Sequence, residues 1–94
     1  MSVPPLRAVR QFELVMKDPT QKLLTVFTTV LTLPSQTDPS GIRRSAVVAW
    51  DSLVQITLIS AIEEEFNVMF DADEYGTITS FERAAELLKK RGLL

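Results

Sequence analysis

The residues best suited by type and spacing to carry chemistry are Asp51 and Ser52, which stand directly before a long apolar segment. We predict a helix from Ser52 to Phe66 with Asp51 as its N-cap, because an aspartate carboxylate accepts the orphan amide protons of a first helical turn. The Ser52 hydroxyl then lies at the helix start, where outward-pointing amides favour an anionic group such as phosphate. The sequence therefore predicts a rigidly presented hydroxyl that another enzyme could modify.

The composition excludes most ways in which this chain could be a catalyst by itself. Its 94 residues form one small domain with a thin core, and it contains no cysteine and no histidine. Disulfides, thiolate chemistry, the usual metal ligand and the usual general base are therefore missing. A catalytic triad, a zinc site and a cysteine mechanism are excluded, and we expect a protein that is not an enzyme.

The hydropathy pattern argues against a membrane protein. The sequence has no run of about 18 or more apolar residues, and its first residues lack the hydrophobic core of a signal peptide. We therefore expect a cytoplasmic protein without membrane insertion.

Charge is distributed unevenly, although the net charge is only −2. No Lys or Arg occurs between Ser45 and Glu82, whereas this stretch holds Asp51, Glu63, Glu64, Glu65, Asp71, Asp73, Glu74 and Glu82. Phosphates of nucleic acids need Lys and Arg, so an acidic middle argues against nucleic acid and favours a basic protein partner.

The first half of the chain predicts an extension followed by a helix and a long loop. Residues 1–18 form the extension, whose spacing of apolar residues is compatible with a short helix, and residues 19–94 form the main domain. Asp18 and Pro19 then signal a helix start; the Thr and Val content of Lys22 to Leu33 favours a strand, but its length and start signal favour a helix. Residues 34–50 predict a loop whose apolar members are partly buried: Ala46, Val47, Val48 and Trp50.

The predicted helix from Ser52 to Phe66 has two different faces. One face is apolar and includes Leu58, Ile59, Ile62 and Phe66, with Ile56 at its edge. The opposite face carries Leu53, Thr57, Ser60 and Glu64. An outward Leu53 is either an ordinary exposed leucine or a contact for a docking partner.

Glu63, Glu64 and Glu65 end this helix, where negative charge opposes the helix dipole by about 0.3–1 kcal/mol per residue. The run is either a solvated face or a functional surface. Beyond it, we predict a turn with a short helix near Asp73 to Tyr75. We also predict that a capping box of Thr79 and Glu82 opens the last helix and that Gly92 ends it.

These features together resemble the acyl carrier proteins over about residues 20–91. The similarity consists of Asp-Ser-Leu at a helix start, the Ala-Ile-Glu-Glu-Glu-Phe end of that helix, the acidic stretch after it and the Ile-Thr-Ser start of the last helix. The tripeptide Asp-Ser-Leu alone is a weak signal, and its placement is the strong one. Trp50 before Asp51 is typical of free-standing carriers of specialised pathways.

The resemblance implies an all-α, four-helix bundle with three long helices and one short one, here with the N-terminal extension. Ser52 would carry a 4′-phosphopantetheine arm that holds substrates as thioesters, and Asp51 and Leu53 would frame Ser52 for the phosphopantetheinyl transferase. Acyl- or aminoacyl-transferring enzymes with basic surfaces would dock on Leu53, Thr57, Glu63 and Glu64. Ile56, Ile59, Ile62 and Phe66 would line the bundle interior of a monomer that serves fatty acid or specialised-metabolite biosynthesis.

Two features depart from typical carriers of fatty acid synthesis. Acidic residues are usual in the first two turns after the serine, where this chain has Val54 and Thr57. A small residue is usual before the aspartate, where this chain has Trp50. We therefore expect partners other than a standard fatty acid synthase.

A second interpretation is a small calcium-binding interaction domain. Asp71, Asp73 and Glu82 occupy the first, third and twelfth positions of an EF-hand-like loop, and Gly76 occupies the sixth. Tyr75 stands at the fifth position, where that loop has an oxygen ligand, and no second loop is present upstream to pair with it.

Overall fold

The computed structural model describes residues 18–94, and within them it contains four α-helices and no β-strand. The helices are α1 (Pro19–Val30), α2 (Ser52–Phe66), α3 (Ala72–Tyr75) and α4 (Phe81–Lys90). The all-α prediction is confirmed for this part of the chain. The predicted N-terminal extension lies outside the described residues, apart from Asp18.

Helix α1 forms as its start signal indicated, in spite of its Thr and Val content. The Asp18 carboxylate accepts a hydrogen bond of 3.1 Å from the Thr20 amide, and Pro19 is the first helical residue. The helix ends earlier than we predicted, because Thr32 adopts a left-handed conformation with φ 56°. The Leu33 amide then donates back to the Thr28 carbonyl at 2.8 Å, which closes the helix end.

The loop from α1 to α2 packs one of its segments against the start of α4. A 3₁₀ helix, Pro39–Gly41, leads to Ile42, which is completely buried. Arg43 then forms an isolated antiparallel bridge with Ser80. The Phe81 amide donates to the Ile42 carbonyl at 3.0 Å, and the Arg44 amide donates to the Thr79 carbonyl at 2.9 Å.

Our prediction for the end of this loop was only partly right. Trp50 is buried and Val47 is half-buried, whereas Ala46 and Val48 are exposed. The short turn made by these residues points only some of its side chains at the bundle, since the Val47 amide bonds back to the Arg43 carbonyl at 3.0 Å.

Helix α2 spans the predicted residues, but its buried face differs from our prediction at the first turns. Leu58, Ile59 and Ile62 are buried as expected, whereas Ile56 is 61% exposed and Gln55 is only 7% exposed. The prediction that Ile56 lines the interior was therefore wrong. The polar side chain of Gln55 lies on the buried face of α2 because it has hydrogen-bond partners in the core.

Helices α3 and α4 follow the predicted order, and one of the predicted capping residues was wrong. The N-cap of α4 is Ser80, whose hydroxyl accepts from the Arg83 amide at 3.0 Å. The predicted capping box of Thr79 and Glu82 therefore does not form, because the helix begins one residue later. Gly92 ends the helix as predicted, with φ 72°.

The core is one cluster in which α1, α2, α4 and the loop before α2 meet. Phe27 of α1 lies at its centre, with its ring 5.8 Å from that of Trp50 and 5.5 Å from that of Phe81, both edge to face. The other completely buried large side chains are Leu23, Ile42, Leu58, Ile62, Ile78 and Leu88. Among residues 18–94, no helix is long and apolar enough to cross a membrane.

An ion pair joins the α3 turn to the end of α4. The Arg91 guanidinium donates to both carboxylate oxygens of Glu74, at 2.7 and 3.0 Å, and its planar fork matches the carboxylate. Glu74 also accepts from the Asp71 amide at 2.9 Å. The hydrogen bonds from Arg91 and Asp71 lower the pKa of Glu74 to about 2.

We expect the Glu74–Arg91 pair to make stability fall in acid. The folded-state pKa of Glu74, about 2, lies below its ordinary value of 4.5, so its stabilising contribution is complete above pH 4.5 and is lost as the pH falls toward 2. Urea unfolding between pH 6 and pH 2.5 measures this loss. Arg91→Met should lower the unfolding free energy at neutral pH and flatten the acid decline. An unchanged decline in Arg91→Met would contradict the assignment.

Candidate functional site

Ser52 is the first residue of α2, and its side chain is exposed. Within residues 18–94 its hydroxyl takes part in no hydrogen bond, since the capping acceptor of this helix is the preceding aspartate. One oxygen of Asp51 accepts from the Val54 amide at 2.9 Å, and the Asp51 carbonyl accepts from the Gln55 amide at 2.9 Å. The Ser52 hydroxyl is therefore exposed and unbonded at the helix start.

Two backbone amides beside this hydroxyl point away from the helix. Among the described residues, neither the Ser52 amide nor the Leu53 amide donates to a protein acceptor. The first amides of a helix carry its partial positive charge, and they stabilise an anion in that place. A phosphate ester on the Ser52 oxygen is compatible with this environment.

A buried hydrogen-bond network fixes the chain on both sides of Ser52. The side-chain oxygen of Gln55 accepts from the indole nitrogen of Trp50. The Gln55 amide group donates to the carbonyl of Tyr75, the last residue of α3, and to that of Ile78 in the turn after it, each at 2.8 Å. Our sequence interpretation missed Gln55, and the available signal was a long polar side chain between the apolar residues Val54 and Ile56, five positions after the tryptophan.

The outward face of α2 contains the predicted stripe of residues. Leu53 is 73% exposed, and Thr57, Ser60 and Glu64 are exposed along the same side of the helix. The Thr57 hydroxyl donates to the Leu53 carbonyl at 3.1 Å, so it is turned toward its own helix. Exposed Ile56 adds a second apolar side chain close to Ser52 along the helix. No ionisable residue lies between Asp51 and Glu63, so this face is uncharged until its last turn.

The three glutamates at the end of α2 have different environments. Glu63 is half-buried and accepts from the Phe70 amide at 2.8 Å, so it stabilises the turn that follows. Glu65 lies 3.8 Å from the Lys22 ammonium of α1. Glu64 is exposed and forms no ion pair with any residue from 18 to 94. Of the two predicted acidic docking residues, Glu64 alone has its carboxylate directed to solvent without a partner in this part of the chain.

A groove of about 430 Å³ runs between α1 and the last two turns of α2. Its walls include Thr25, Val26 and Val30 of α1, with Ala61 and Glu64 of α2. The groove lies toward the opposite end of α2 from Ser52. The interior of the bundle beside the first half of α2 is filled by side chains, since Leu58 and Ile59 are both buried.

The acidic turn does not bring the residues of the predicted calcium loop together. Among residues 18–94, no group of three or more acidic side chains is arranged so that it could hold a metal ion. Residues 72–75 form a helical turn, and Glu74, which is absent from the predicted ligand set, pairs with Arg91. Nothing in this geometry favours the calcium interpretation.

Comparisons of this chain with protein families, with curated proteins and with solved structures found no significant match. The geometry of the chain itself must therefore carry the functional inference.

We expect Asp51→Ala to destabilise the fold by about 1 kcal/mol, within the 0.5–2 kcal/mol measured for lost N-caps. The reason is that the Val54 amide loses its acceptor. Urea unfolding followed by the fluorescence of Trp50 measures the change. Asp51→Asn is the control, because an asparagine oxygen also caps a helix. Equal stability of Asp51→Ala and wild type would show that the cap contributes nothing.

Proposed function

We propose that this chain is an acyl or aminoacyl carrier protein, modified on Ser52 with 4′-phosphopantetheine. The observation that carries the proposal is the exposed Ser52 hydroxyl at the first position of a 15-residue helix, with the capping role taken by Asp51. A serine hydroxyl in that position is reachable by a transferase, and the helix fixes the backbone that carries it. The sequence Asp-Ser-Leu at this helix start resembles that of the acyl carrier proteins and supports the same conclusion.

The absence of cysteine gives the modification a chemical reason. A carrier must hold its cargo through a bond that is easily exchanged, and a chain without cysteine has no thiol of its own. The arm supplies a thiol that holds the cargo as a thioester. During attachment the Ser52 oxygen forms a bond to phosphorus while the bond from phosphorus to the donor's leaving group breaks. The hydroxyl proton passes to a base of the transferase.

The residues around Ser52 fit the phosphodiester of the arm. The free amides of Ser52 and Leu53 favour its negative charge, and Asp51 keeps the first turn closed through Val54. The helix start is exposed to solvent, so the arm can extend away from the protein toward the active site of a partner.

The partners of this carrier dock on the outward face of α2. They include the phosphopantetheinyl transferase and the enzymes that load and receive the cargo. Leu53 and Thr57 form the uncharged part of the docking face, and Glu64 is its acidic end for a basic partner surface. Glu63 contributes less than its sequence position suggests, because the Phe70 amide occupies its carboxylate. On this proposal the chain works in the cytoplasm as a monomer and is not itself an enzyme.

We expect a broad-specificity phosphopantetheinyl transferase to increase the mass of the full chain by roughly 340 Da, the mass of the arm attached through a hydroxyl oxygen. Intact-mass spectrometry after co-expression measures the change. Ser52→Ala should abolish it, and the matched control Ser45→Ala, an exposed serine outside α2, should retain it. An unmodified wild type, or a modified Ser52→Ala, would refute the proposal.

We expect Leu53→Ser to lower kcat/KM for arm attachment by about tenfold, because a central apolar contact is lost. Glu64→Gln should lower it by about threefold at low salt and less at high salt, since an exposed charge acts mainly on the association rate. Met69→Ser and Glu82→Gln are matched controls, because both side chains are exposed and lie outside α2. Equal losses in variants and controls would contradict the docking assignment.

A further inference from the structure

The side chain of Gln55 forms three hydrogen bonds inside the core. The side chain of Gln55 is 7% exposed, and both hydrogens of its amide group are used by the Tyr75 and Ile78 carbonyls. Its oxygen accepts from Trp50, whose own side chain is 3% exposed. No buried side-chain nitrogen or oxygen among residues 18–94 lacks a partner. Such a network selects one arrangement of the chain, because any other leaves a buried polar group unpaired.

This network holds the chain directly before and directly after Ser52. Trp50 lies two residues before the serine, and its backbone amide donates to the Val47 carbonyl at 3.0 Å. Gln55 lies three residues after the serine, within the first turn of α2. Because the Ser52 hydroxyl has no hydrogen bond of its own in the described chain, its position depends on these neighbours.

We infer that Gln55 is a positioning residue for the Ser52 hydroxyl, acting through Trp50 and through the turn at residues 75–78. This inference rests on the proposed function. Gln55 joins Trp50, in the loop before Ser52, to the turn at residues 75–78. The backbone that carries the Ser52 hydroxyl is thereby fixed relative to that turn. The direction of attack on the donor's phosphorus is thereby set by a residue that never contacts the donor.

A purely structural role for Gln55 makes a different prediction. In that case its replacement lowers stability only, and arm attachment to the folded fraction is unaffected. A positioning role lowers the rate of the chemical step in protein that is fully folded, while docking on Leu53 and Glu64 is retained. The effect then falls on kcat rather than on KM.

The experiment compares Gln55→Leu, Trp50→Phe and the double variant in arm attachment by the same transferase. Leucine keeps much of the volume of Gln55 and removes all three hydrogen bonds. Phenylalanine keeps an aromatic ring against Phe27 and removes the indole donor. Ile62→Val is the control for loss of core stability on the same helix, and Gln36→Leu is the control for loss of an exposed glutamine. All assays are run at a temperature at which circular dichroism shows that every variant is folded.

We expect Gln55→Leu to lower kcat by about tenfold with KM within about twofold of wild type, because small displacements of a reacting atom cost large factors in rate. The double variant should lose no more than Gln55→Leu alone, since both changes break one network. The emission maximum of Trp50, the only tryptophan, should move in Gln55→Leu, because the indole nitrogen loses its acceptor, and should not move in the two controls.

Several outcomes would overturn the inference. A wild-type kcat in Gln55→Leu, an equal loss in Ile62→Val, or additive losses in the double variant would each leave Gln55 with a structural role only. In these cases wild-type protein still takes up the arm, and the proposed function stands. Wild-type protein that takes up no arm refutes the proposed function, and the inference with it.

Discussion

The buried amide of Gln55 is the constraint on which the presentation of Ser52 depends. A polar side chain enters an apolar core only when its donors and acceptor are satisfied, and here the partners come from the two segments that flank helix α2 in space. The hydrogen bond that satisfies the side-chain oxygen of Gln55 also holds the indole of Trp50 in the core. The indole ring then packs edge to face on Phe27, so one polar network also orders the aromatic centre of the bundle.

This arrangement explains how so small a domain can carry an exposed hydroxyl on a fixed backbone. The Ser52 side chain is exposed and unbonded, yet its backbone stands between a buried tryptophan and a buried glutamine. The helix cap at Asp51 fixes the first turn, and the network fixes how this turn sits on the rest of the protein. The proposed modification needs both properties, because the hydroxyl must be free to react while its surroundings stay in place.

The sequence predicted the helices well because their ends carry local signals. Asp18, Asp51 and Gly92 act through atoms within a few residues of themselves, and each has the role we expected. The burial of Gln55, where we had predicted Ile56, could not be predicted in the same way. Hydrophobic periodicity orders residues by polarity, whereas burial of Gln55 depends on carbonyls 20 and 23 positions away in the chain. The shift of the last cap from Thr79 to Ser80 has the same origin, because residues 79–81 are engaged by the loop before α2.

The bridge between Arg43 and Ser80 has a consequence for how the protein opens. It closes a loop of chain that contains all of α2 and α3. Hydrogen bonds therefore join the start of α4 to residues 42–44, in the loop that leads to Ser52. Closing a loop of this length costs entropy once, so contacts formed inside the closed loop no longer carry that closure cost. Loosening the start of α4 releases Ile42, and with it the segment that leads to Trp50. The two ends of the loop therefore belong to one cooperative unit, whose amides should exchange with solvent together rather than in sequence.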